Sequence, residues 1–148
     1  MPSAVLSVQI LTNNIVVSLF AYVLGFLFGL GTFYIIGLNG LMLGGVFAMT
    51  AQHGLEGRLF EFIVAHGVVE LSCICLSGAA GAAVGDALAR PGLESRAAAF
   101  AAATRRTGPL MVAVTLLLLG CGFIEGYVSP NPDMPLVTRL VVGFGYFA

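Results

Sequence analysis

The chain has 148 residues, of which 59% are hydrophobic and 9% charged, with a formal net charge of -1. Soluble domains carry about a quarter charged residues, so this chain cannot build the polar shell of one, and its charge leaves no basic footprint for nucleic acid. The composition, with a mean hydropathy of +1.03, predicts an all-α polytopic transmembrane helix bundle of four to five apolar segments, at roughly 20 residues per span.

The N-terminal stretch MPSAVLSVQILTNN lacks a positive n-region and a small-residue cleavage site, so it does not read as a secretory signal. A first apolar segment is expected over residues 15–37, capped at its start by Asn13 or Asn14. A second, over 38–51, is short enough to be either a thin span or a re-entrant element. HGLEGR at 53–58 is a polar connection. A third segment, 59–89, is longer than one span requires, and His66-Gly67 is a natural place for it to bend. Glu61 and Asp86 are expected near its ends, at the membrane interfaces.

Residues 90–108 carry Arg90, Arg96, Arg105 and Arg106 against Glu94 alone, with a short surface helix expected in their middle. Pro109 opens a fourth segment that ends at Tyr127, before the rigid turn SPNPDMP at 129–135. A fifth begins at Leu136 and is too short to span as it stands. The whole chain reads as one transmembrane domain, 1–148, expected to be part of a longer protein truncated at its C-terminus. The Arg-rich 90–108 connection belongs on the cytoplasmic side by the positive-inside rule. That orientation puts the 53–58 connection and the 129–135 turn outside.

Twenty glycines are present, many four apart. Gly25, Gly29, Gly31, Gly40, Gly44, Gly81 and Gly85 are expected at helix-packing faces, where a missing side chain lets two backbones approach. Cys73 and Cys75 point in different directions on a helix. With Cys121 they read as small hydrophobes, and neither a metal site nor a cofactor is expected.

His66 and Glu70 lie four apart, so one helix face carries both. Ionisable groups inside a membrane are costly and turn toward a bundle interior or an aqueous cavity. A hydrogen-bonded structural pair is one reading, and a proton relay, ion site or polar binding pocket is the other. Glu125, near the outer end of the fourth segment, and Asn39 complete the polar intramembrane set. No catalytic residue emerges. H-x-x-x-E lacks the second His of a zincin, and no serine sits in a nucleophile elbow.

The ordered set Asn13-Asn14, Phe28-Gly29-Leu30-Gly31-Thr32, Asn39-Gly40, His66-Gly67, Glu70 and Glu125 in IEGYVSP resembles the stage II sporulation protein M family, over nearly the whole chain. The resemblance implies a multi-pass, non-enzymatic membrane scaffold that holds peptidoglycan-degrading partners in the cell envelope. Membrane lipid, envelope proteins and a possible second copy are the partners it suggests. The alternative is a transport component with a buried His/Glu site. A polar stripe along several helices would be needed for a transport path, and the segments are otherwise apolar.

Overall fold

The computed structural model describes residues 3–64, 66–127 and 135–147. Six α-helices follow in order: α1 Ser3–Val23, α2 Leu30–Gln52, α3 Glu56–Ile63, α4 Gly67–Ala89, α5 Arg96–Tyr127 and α6 Leu136–Phe147. A 3-10 turn, Leu24–Phe26, extends α1, and no strand occurs among the described residues. Among the described residues, four stretches are long and apolar enough to cross a membrane: Val8–Phe26, Leu30–Gln52, Gly67–Ala89 and Arg96–Ile124.

The first break in the chain differs from the sequence expectation. Residues 15–37 are not one helix, because the backbone turns left-handed at Phe28 (φ 54°) and Gly29 (φ 83°). Glycine adopts this conformation without steric cost, and it ends the first helix there. The expected 38–51 element is accordingly a full helix of 23 residues, α2, and not a short or re-entrant piece. Asn13 and Asn14 lie well inside α1 and cap nothing.

The bend at His66 is present and separates α3 from α4. The expected surface helix and the fourth segment are instead continuous, with Pro109 inside the 32-residue α5. A proline there forfeits one backbone hydrogen bond and crowds the preceding turn. Gly108 just before it offers open space on the helix surface.

Helices α1, α4 and α5 form the centre of the bundle, with α2 against α1 and α4, and α6 against α4. The stripe Asn14, Ser18, Ala21 and Gly25 recurs at four- and three-residue steps and is buried along its length. Such a stripe keeps one face of a helix toward its neighbour. On α4 the matching stripe is Glu70, Ile74, Ser77, Gly81 and Gly85, also buried. Asn14 lies level with Glu70 and Gly25 level with Gly81, so α1 and α4 run parallel.

A Cβ on Gly25 would strike the Gly81 carbonyl, and one on Gly85 would strike the Gly29 backbone. A Cβ on Gly31 would meet Leu24. By contrast Gly40 and Gly44, on α2, meet nothing within 4 Å.

Side-chain hydrogen bonds fasten the helices. Thr32 Oγ1 donates to the Ala21 carbonyl at 2.7 Å, Tyr22 and Thr107 share a hydrogen bond of 2.9 Å, and Tyr146 donates to the Leu117 carbonyl at 3.1 Å. Val69, Cys73, Val114, Leu118 and Cys121 fill the α4–α5 seam. Cys75 points outward while Cys73 is buried.

Gly81→Leu is expected to lower the unfolding temperature in mild detergent markedly, since overpacking costs about 1–3 kcal/mol even where side chains can yield. Gly40→Leu should leave it nearly unchanged. Equal effects of the two substitutions would contradict this packing.

Candidate functional site

A cavity of about 450 Å³ lies between α1, α2, α3 and the start of α4. Its size falls in the range of ligand pockets, roughly 300–1,000 Å³. Most of its wall is apolar, built from residues such as Met42, Val46, Phe47, Ile63 and Leu71. The polar exceptions are Asn13 and Asn14 from α1, Asn39 from α2, and His66 and Glu70 from α4 and the bend before it.

Each polar residue arrives by a local reason. Glu70 heads the buried stripe of α4, one turn after the helix start, and Asn14 heads that of α1. The parallel run of these helices brings the two together. Asn39 lies two turns beyond Thr32 on α2 and lines the cavity from that helix. His66 sits in the bend, with φ −140° and ψ −29°, and its carbonyl accepts the Glu70 backbone N–H at 3.1 Å. From α5, the Cys121 thiol approaches the same carbonyl at 4.0 Å. Leu59 and Ile63 of α3, four apart, present one face to the cavity.

His66 and Glu70 are 2% and 6% exposed. Their side chains are closest at His66 Nε2 and Glu70 Oε2, 3.9 Å apart. That separation exceeds hydrogen-bond length, so the direct His–Glu hydrogen bond considered from the spacing is not formed. The carboxylate instead receives a side-chain hydrogen bond from Asn14. Glu70 Oε1 is buried and has no hydrogen-bond partner among the described residues. Transferring such an acceptor out of water without a partner costs about 1–3 kcal/mol.

The structure therefore brings Asn39, His66 and Glu70 together, and adds Asn13 and Asn14, which sequence reasoning had treated as helix caps. The spacing Asn14, Ser18, Ala21, Gly25 was the available signal, since it continues one helical face upstream of the expected helix start. Glu125 belongs to the last turn of α5, but its side chain lies outside the described residues. Glu61 is exposed at the surface of α3. Asp86 is also exposed, at the other end of α4, where Arg90 Nε donates to its Oδ1 at 2.7 Å. The two charges close the helix end in an (i, i+4) pair.

Four spans and a polar cavity sunk among them define a multi-pass α-helical membrane protein. Residues 1–130 match the family profile of Stage II sporulation protein M, and the chain belongs to that family. No match was found among curated proteins or solved structures.

A double-mutant cycle tests the site. Asn14→Leu and Glu70→Leu should each destabilise the detergent-solubilised protein by about 1–3 kcal/mol. The double variant should lose clearly less than their sum, because each group is the other's partner. Additive losses in thermal or denaturant unfolding would show that the two do not interact.

Proposed function

We propose that this protein is a non-enzymatic scaffold of the bacterial cytoplasmic membrane that gathers peptidoglycan-remodelling partners. The observation that carries this reading is α2. It is a full-length apolar helix, yet residues such as Leu30, Phe33, Leu41 and Met49 are exposed along it. Gly37, Gly40, Gly44 and Gly45 add a strip where a Cβ would meet nothing within 4 Å. Small residues of this kind admit a second helix at close range, so α2 offers a docking face to the membrane helix of an envelope partner.

Transport is less well supported. The ionisable groups and asparagines collect at one depth of the bundle, while Thr32 and Ser77 farther along the seam spend their hydroxyls on backbone carbonyls. Toward the other end, α1, the start of α2 and α4 press backbone against backbone at Gly25, Gly29, Gly81 and Gly85. A continuous aqueous path needs polar groups along several helices through that level.

Orientation follows from the arginines. Arg90, Arg96, Arg105 and Arg106 cluster where α4 ends and α5 begins, so that end is cytoplasmic. The N-terminus of α1, the α2–α3 connection and the cavity are then extracytoplasmic. In a variant lacking native Cys, Gln52→Cys should react with an impermeant thiol reagent in intact cells and Ala98→Cys should not. The opposite pattern would reverse the topology.

Docking is tested by a photo-crosslinking residue placed at Gly40 of α2 in cells. It should capture an envelope protein bearing a peptidoglycan-acting domain, and the same residue at Leu116 on α5 should not. Capture of lipid alone, or equal capture at both positions, would refute the proposed role of α2.

A further inference from the structure

The unpartnered Glu70 Oε1 and the apolar walls around it make different demands on whatever fills the cavity. The carboxylate oxygen asks for a hydrogen-bond donor, and it is more than nine-tenths buried. Asn13, Asn14 and Asn39 stand nearby with amide groups able to donate and accept. The remaining wall asks for a hydrocarbon.

The cavity also has a direction. Met42, Val46, Phe47 and Leu71 line it and are 40–65% exposed, on the membrane-spanning stretches of α2 and α4. In a bilayer, the surface they open onto is acyl chains. Entry is therefore sideways from the hydrocarbon, with the polar end deepest, against α1 and α4. Water could hydrate the polar end, but it leaves the apolar walls without partner atoms.

We propose that the cavity is a binding site for one membrane lipid whose head donates a hydrogen bond to Glu70 while its chain lies between α2 and α4. Two lipid sources share this donor chemistry: ammonium-headed lipids such as phosphatidylethanolamine, and hydroxyl-headed ones such as diacylglycerol. An anionic head such as that of phosphatidylglycerol is disfavoured beside the carboxylate by like-charge repulsion, although its glycerol carries hydroxyl donors. The site is independent of the scaffold role, since it faces inward from α2 while the free glycines of that helix face nothing in the chain.

The test is native mass spectrometry of the full-length protein, released from nanodiscs containing phosphatidylethanolamine, phosphatidylglycerol and diacylglycerol in equal amounts. One lipid should stay bound, and it should not be phosphatidylglycerol. Val46→Trp, at an exposed position on the rim, should lower retention about tenfold with unchanged thermal stability. Glu70→Leu should also lower retention about tenfold, as expected for loss of a hydrogen bond to a charged group.

Glu70→Gln separates the two sources. Loss of retention identifies an ammonium head, because the charge is removed. Continued retention identifies a hydroxyl head, because the amide oxygen still accepts. If the wild-type protein keeps no lipid, or keeps phosphatidylglycerol equally well, the proposal fails. It fails as well if Val46→Trp retains lipid as the wild type does. That variant decides the matter should Glu70→Leu not fold.

Discussion

Between Gly25 and Gly81, and again between Gly29 and Gly85, two backbones lie against each other with no side chain between them. In a membrane, burial of apolar surface gives helices little reason to associate, because lipid tails are as apolar as leucine. Close packing and interhelical hydrogen bonds must take its place. The glycine contact supplies the first, and Thr32, bonded to the Ala21 carbonyl beside it, supplies the second. This contact sets the parallel run of α1 and α4 and the point at which α2 leaves. The cavity lies between α2, α3 and the ends of α1 and α4 away from this contact.

The same crossing explains the distribution of polar groups. One end of the α1–α4 seam is sealed by glycine. At the other end the facing residues are Asn14 and Glu70, whose side chains keep a space open. A carboxylate in such a place is tolerated because Asn14 meets part of its hydrogen-bonding capacity. His66 lines the same space with its Nε2 3.9 Å from Glu70 Oε2, and Glu70 Oε1 is left without a hydrogen-bond partner among the described residues.

Fold class was legible, and the span number to within four or five, because hydropathy is set by the bilayer and needs no tertiary information. Helix ends were less so. Residues 15–51 are apolar almost throughout, and nothing in hydropathy marks Phe28-Gly29 as the break, since a backbone conformation makes it. The Gly108-Pro109 pair misled in the other direction, because one missing hydrogen bond does not end a helix held by neighbours on both sides. His66, Glu70 and Asn39 could be singled out, because polar residues in an apolar run are conspicuous. Asn14 was visible as the head of the stripe it forms with Ser18, Ala21 and Gly25, but its pairing with Glu70 depends on which helix runs beside it.

The length of α5 relates the bundle to the membrane it can occupy. Between Arg106 and Glu125 the helix is uncharged for about 18 residues, roughly 27 Å at 1.5 Å per residue. That is close to the thinner cellular bilayers. The N-terminal part of the helix, carrying Arg96, Arg105 and Arg106, continues the same rod beyond that uncharged stretch. Bilayer thickening would draw Arg105 and Arg106 toward the acyl chains or force the rod upright. Tyr22, bonded to Thr107 just below them, would carry that adjustment into α1. The arginines at one end of this uncharged stretch thus lie at the level of the Tyr22–Thr107 bond, which joins α5 to the helix that frames the cavity.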